Sequence, residues 1–140
     1  MYDIDIEKLI PHRDRLKLID EILVADDKRA VTAATVNERW PLYDEDSVNP
    51  IILIELTAQT TGIAVGNKRY KETGKGVYGW IVGIKQVKFS VGRIPLGTRL
   101  VIRVDPAYDH ESYAVFNGTV ENASDQKILC SIEIQVFSPE

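Results

Sequence analysis

The chain of 140 residues has a single cysteine, Cys130, and two histidines, His12 and His110. One thiol cannot close an internal disulfide, and no metal-ligand spacing surrounds it. Neither a disulfide framework nor a bound metal is expected, and no cofactor motif is present. Basic residues are also scarce relative to acidic ones: 17 Lys and Arg against 21 Asp and Glu, for a formal charge of −4. No basic stripe is available to neutralise phosphates, which argues against a nucleic-acid partner. No apolar run approaches the roughly 20 residues of a spanning helix, and the acidic start MYDIDIEKLIPHRDR has no apolar signal core. Repeats and low-complexity tracts are absent too. Together these absences predict a cytoplasmic protein with no membrane role.

What is present reads as an ordinary globular composition, 44% hydrophobic and 27% charged, in one domain covering residues 1–140. After a short N-terminal helical turn, two strand-like runs, Leu16 to Val24 and Ala30 to Val36, flank the hairpin turn ADDKRA. The polar segment NERWPLYDEDSVNP follows. Pro50 to about Tyr70 is then the only helix-length apolar stretch, with Asn49 as N-cap, Pro50 in the first turn and Gly74 as a C-terminal stop. Four further strand-like runs complete the chain: Val77 to Phe89, Thr98 to Val104, Ser112 to Glu121 and Lys127 to Phe137. In the last, Ile128, Cys130, Ile132, Ile134 and Val136 share one face, which makes Cys130 a packing residue.

Two strands, one long helix and four strands define an α+β chain in which an antiparallel sheet of five or six strands must curl around a central helix to bury it. Ala58, Gly62 and Gly66 recur at four-residue spacing on that helix. Glycine inside a helix costs about 1 kcal/mol relative to alanine, so a steric reason is expected, namely close packing of this stripe on the sheet.

One carboxylate, Glu55, stands in the apolar run IILIELTAQTTG. An unpaired buried charge is costly, so Glu55 requires a hydrogen-bonding partner or a raised pKa, whether its role is structural or chemical. Perturbed carboxylates in clefts are frequent functional groups.

Three segments, IPHRDRLKLIDEI, LIELTAQTTG and GIKQVKFSVGRIPLGTRL, occur in the order found in hotdog-fold 3-hydroxyacyl-acyl carrier protein dehydratases. The chain most resembles their histidine-poor relatives encoded with polyene pigment synthesis. That resemblance implies a hotdog fold and a dimer. It further implies a thioester held in a tunnel, and Glu55 as the helix carboxylate that works with a histidine across the dimer interface. Gln59, one turn later, matches the family glutamine, and Tyr43, Pro50, Ile51 and Trp80 are read with it as candidate substrate contacts, although Trp80, alternating with Val82 and Ile84 on a strand, is equally a core residue. The family histidine would fall near Pro41, in RWPLYDED, where none exists. His12, at the start of a strand with no acid or nucleophile beside it, and His110, in the hairpin DPAYDHES, are not obvious substitutes. Tyr43 or Asp44 offers a second polar group near the site.

Three functions follow as alternatives. The first is dehydration of acyl carrier protein or coenzyme A thioesters in fatty acid or polyene synthesis, with Glu55 protonating the leaving hydroxyl. The second is thioester hydrolysis, with N–H groups at the helix start holding the oxyanion. The third is a non-catalytic acyl-binding subunit of a heteromeric dehydratase. A homodimer is expected, or a heterodimer with a histidine-bearing dehydratase. Lys85, Lys88, Arg93 and Arg99 are the candidates for docking an acidic carrier.

Overall fold

The structure, a computed structural model, describes residues 17–26, 29–73, 81–110 and 113–137. Six strands form one antiparallel sheet: β1 (Glu21–Asp26), β2 (Arg29–Thr35), β5 (Ile81–Phe89), β7 (Arg99–His110), β8 (Tyr113–Asn122) and β9 (Ile128–Phe137). Their order across the sheet is β1-β2-β7-β8-β9-β5, so β1 and β5 are the edges. The helix α1 (Ile52–Thr73) packs on the inner face of this sheet, against β1, β2, β7, β8 and β9. This is the hotdog arrangement.

Alternation selects the buried face of each strand. Cys130, Ile132, Ile134 and Val136 of β9 are buried, as are Leu100, Ile102 and Val104 of β7, and they meet Leu53, Leu56 and Ile63 of α1 in one core. Burial pushes the Cys130 thiol up to about 11, consistent with a packing residue. Asn49 caps the helix: its side-chain Oδ1 accepts the Ile51 N–H at 3.0 Å. The helix stop expected at Gly74 and the N-terminal helical turn lie outside the described residues.

The structure differs from the sequence reading in three places. Of the run read as starting at Leu16, residues 17–20 precede the strand, which begins at Glu21, because the Leu18 N–H bonds to the Gln59 side chain rather than to a neighbouring strand. The contacts with the sheet seen among the described residues are those of Thr57 and Thr60, whereas the stripe expected there was Ala58, Gly62 and Gly66. At 3.6 residues per turn, that small-residue stripe lies on another side of the helix. The glycine that permits close approach is on the sheet: a Cβ at Gly118 of β8 would lie 2.5 Å from Thr57 Cγ2 and 3.2 Å from Ile132 Cγ2. Thr60 donates its hydroxyl to the Leu56 carbonyl and pairs with the Thr32 hydroxyl of β2 at 2.8 Å.

A second, three-stranded sheet had no counterpart in the sequence reading. It consists of β3 (Tyr43–Asp44), β4 (Ser47–Val48) and β6 (Ile94–Pro95), in the order β3-β4-β6. The two residues between β3 and β4, Glu45 and Asp46, have φ of 49° and 64°. That is the backbone of a two-residue hairpin turn normally made with Asn-Gly. Arg93 holds it: its guanidinium donates to the Asp44 carbonyl at 3.1 Å and the Ser47 carbonyl at 3.0 Å, and to Ser47 Oγ.

Candidate active site

Glu55 occupies the first turn of α1, half-buried, on the flank of the helix that carries Gln59 one turn later. Gln59 is fully buried. Its Nε2 donates to Glu55 Oε1 at 3.1 Å, and its Oε1 accepts the Leu18 N–H at 3.0 Å. The Gln59 amide is thus one of the hydrogen-bonding partners that the carboxylate requires. Glu55 is less enclosed within its own chain than its apolar neighbours suggest, since Ile51 is 55% exposed and Ile54 and Ala58 are half-buried on the side facing away from the sheet.

The segment preceding the helix lies against this end of α1, because the Asn49 N–H donates to the Leu42 carbonyl at 3.2 Å. It carries the position where a histidine is missing. Pro41 is half-buried, and Leu42 is 52% exposed with φ of 64°, a left-handed backbone that a leucine adopts only under strain. Tyr43 is half-buried and donates its hydroxyl to Asp46 Oδ1 at 3.2 Å. Desolvation and that hydrogen bond raise its phenol above the ordinary value of 10.0, so at neutral pH Tyr43 is a hydrogen-bond donor and not a base. Asp44 is exposed, and its carbonyl is engaged by Arg93.

The N–H groups of the first helical turn are engaged within the turn itself. Ile51 N–H goes to the Asn49 side chain, Ile52 N–H to the Asn49 carbonyl, Leu53 N–H to the Pro50 carbonyl and Ile54 N–H to the Ile51 carbonyl, at 2.9 to 3.1 Å. An oxyanion placed there would have to displace one of these acceptors.

The four basic residues expected to form one docking patch are not brought together. Lys85 and Lys88 are on the edge strand β5, where a bulge between Ile84 and Gln86 sets Lys85 out of register and Lys85 pairs with Glu133 at 3.2 Å. Arg93 is the clamp of the β3–β4 hairpin. Arg99 begins β7, three strand positions from β5, and pairs with Glu21 and, at 4.0 Å, with Asp20. A groove of about 270 Å³ does lie beside Lys88, on the outer face of β5, β8 and β9, lined by Gln86, Asn117, Thr119, Ser131 and Glu133; no helix residue borders it. Trp80 and His12 lie outside the described residues, as does any channel they border. His110 is exposed at the end of β7, in the hairpin that leads to β8, where it pairs with Tyr113. Among the described residues, no three Asp, Glu, His or Cys side chains gather in a way that would hold a metal ion, and no helix is long and apolar enough to cross a membrane.

Sequence reasoning missed Leu18 and the structural use of Arg93. Leu18 contributes only its backbone N–H, which has no side-chain signature. An arginine beside a proline-bounded loop is equally ambiguous.

Comparison with known proteins identifies relatives over most of the chain. Residues 4–140 match the ApeP-like family, described as ApeP dehydratase. A 3-hydroxyacyl-[acyl-carrier-protein] dehydratase FabZ of Caldanaerobacter subterraneus is 33% identical over 106 residues, covering 71% of this chain and 72% of that protein. The FabZ of Listeria welshimeri is 29% identical over 135 residues, covering 92% and 90%. Among solved structures, the dehydratase heterocomplex ApeI:P from Xenorhabdus doucetiae superposes with a TM-score of 0.88 at 18% identity, covering 99% of this chain and 93% of the matched one. A hypothetical thioesterase protein with coenzyme A from Streptococcus pneumoniae shares the fold more distantly, with a TM-score of 0.64 at 17% identity over 85% and 84% of the two chains.

Proposed function

This chain belongs to the ApeP-like dehydratase family, and from that premise we propose that it takes part in dehydrating 3-hydroxyacyl thioesters, with Glu55 transferring the proton and a second chain supplying the base. The observation that carries this reading is the pairing of a half-buried helix carboxylate, oriented by Gln59, with an adjacent loop that has no histidine. In the reaction, a base removes the C2 proton, the released electron pair forms the C2–C3 double bond, and the C3–O bond breaks. Glu55 gives its proton to the departing oxygen, so the products are an enoyl thioester and water. In place of the missing histidine the loop has Pro41, which has no ionisable side chain, and Tyr43, which keeps its proton at neutral pH, with Asp44 exposed in the hairpin beyond them. Loss of a general base typically costs about 100- to 10,000-fold, so the chain alone should be slow.

An acyl carrier protein thioester is the favoured substrate, since the curated relatives carry that substrate in their names, with a coenzyme A thioester as its close substitute. The second chain is expected on β5, whose outer edge has no strand beside it among the described residues. Either a second copy or a histidine-bearing dehydratase fits that edge, and only the latter supplies the missing base. The heteromeric Xenorhabdus complex supports this choice. Lys88, exposed on β5, is the remaining candidate for meeting an acidic carrier. Hydrolysis is the weaker reading, because the N–H groups it would use are already engaged at the helix start.

Mass spectrometry of 3-hydroxyacyl and saturated acyl thioesters, incubated with the chain alone and with a histidine-bearing dehydratase, tests this. Loss of water that is strong only with both chains, and that falls at least about 100-fold with Glu55→Gln, is expected. Full activity of Glu55→Gln would sink the assignment, and release of free acid would favour hydrolysis.

A further inference from the structure

We propose that Gln59 is a positioning residue that selects the oxygen from which Glu55 transfers its proton, rather than a contact for the substrate. The inference rests on the reading of Glu55 given above. Gln59 is fully buried, and both ends of its amide are engaged by the protein. Its orientation follows from hydrogen-bond chemistry. The Leu18 backbone N–H can only donate, so the end of the amide that meets it at 3.0 Å must be the carbonyl oxygen. The NH₂ end is thereby directed to Glu55 Oε1, 3.1 Å away. An amide nitrogen cannot accept, so Oε1 must be an acceptor in every protonation state of Glu55. A protonated carboxyl accepts better through its carbonyl oxygen than through its hydroxyl oxygen, so a proton held by Glu55 is favoured on Oε2.

The same chain of contacts ties the carboxylate to a distant part of the fold. Leu18 is buried, 41 residues before Gln59, in the segment leading into β1. Glu55 is in this way held against the segment before the first strand as well as by its own helix. A side chain on a helical first turn otherwise retains several rotamers, and a misplacement of about 1 Å can cost roughly 100-fold in rate.

Gln59→Glu tests the proposal. The new side chain keeps an oxygen for Leu18 and nearly the same shape, but replaces the fixed N–H donor by a second carboxyl that shares a proton with Glu55, so the proton is no longer assigned to one oxygen of Glu55. In the assembly that turns over, kcat should fall roughly 10- to 100-fold with KM little changed. A second buried carboxyl also lowers the melting temperature, so kcat and KM are compared below the variant's transition. A rise in KM with kcat preserved would overturn the proposal in favour of a substrate contact. A ¹⁵N spectrum of the full-length chain supplies a readout that needs no turnover. The Gln59 side-chain NH₂ signal should be slow to exchange and should move as Glu55 titrates, and that movement should vanish in Glu55→Gln. A signal indifferent to Glu55 would overturn the proposal. If Glu55→Gln itself leaves turnover intact, the function assigned to Glu55 fails. If it abolishes turnover while Gln59→Glu leaves kcat unchanged, only the positioning role fails.

Discussion

Gly118 and Thr57 together set how close the helix comes to the sheet. The threonine methyl occupies the space that a side chain on Gly118 would need, while its hydroxyl donates to the Leu53 carbonyl at 2.8 Å. Gly118→Ala is therefore expected to cost about 1 to 3 kcal/mol by overpacking. Thr57→Ser, which removes only the methyl and keeps the hydroxyl, should restore much of that loss. Denaturant unfolding of the two single variants and the double variant measures the coupling, and simple additivity would show that the two residues do not compete for space. Cys130 gives a second expectation at this scale. Burial raises its thiol from 9.0 to about 11, so the folded chain keeps this proton when the unfolded chain has lost it. Its contribution to stability is full below about pH 9 and declines as pH rises toward 11. Between those limits Cys130→Ala should lose less stability than the parent, and equal losses would mean the thiol titrates normally.

The β3–β4 hairpin shows an element formed against local preference. Non-glycine residues in the left-handed region cost roughly 1 to 2 kcal/mol each, least for Asn and Asp, and here Glu45 and Asp46 both adopt it. Arg93 offsets part of that cost through its bonds to Asp44 and Ser47, and the Leu96 N–H adds another to the Asp46 carbonyl at 2.9 Å. The pair Glu45→Asn and Asp46→Gly is expected to raise stability by about 0.5 to 1 kcal/mol. Arg93→Ala should lower it by about 1 kcal/mol. Thermal melting checks both, and a destabilised Asn-Gly turn would show that the native side chains make contacts that outweigh the backbone strain. Arg93→Glu, in contrast, is a poor test of carrier docking, because it would disturb this hairpin first.

For the molecule as a whole, the outer face of the sheet carries paired charges of both signs. Arg29–Asp105 at 3.1 Å, Arg103–Glu121 at 2.7 Å and Lys85–Glu133 at 3.2 Å are each exposed enough to contribute only about 0 to 1 kcal/mol. They keep that face polar. The edge strand β5 differs: Ile84 is 48% exposed, and a strand of nine residues leaves a row of backbone groups available to another strand. Ile84→Lys is expected to weaken association through this edge while leaving the melting transition of the chain cooperative. Sedimentation velocity at micromolar concentration checks it, and a parent chain that sediments as a stable monomer would remove β5 from the proposed assembly.

Local patterns in the sequence were sufficient for much of this architecture. The two-residue alternation of Cys130, Ile132, Ile134 and Val136 marks β9, Asn49 and Pro50 mark the helix start, and the four-residue spacing of Glu55 and Gln59 places them side by side. Each of these depends on neighbours in the chain, where geometry is set by the backbone period alone. The small sheet, the clamp by Arg93, the insertion of Thr57 at Gly118 and the bond from Leu18 to Gln59 were decided only by the tertiary structure. The last two join residues 61 and 41 positions apart, through a methyl group meeting an absent side chain and a backbone N–H meeting a buried amide. Such contacts depend on strand register and on the lateral position of the helix over the sheet, and no local period encodes either. The carboxylate of the proposed site was thus legible from its own segment, whereas the geometry that orients it required the segment before the first strand to be folded against the helix.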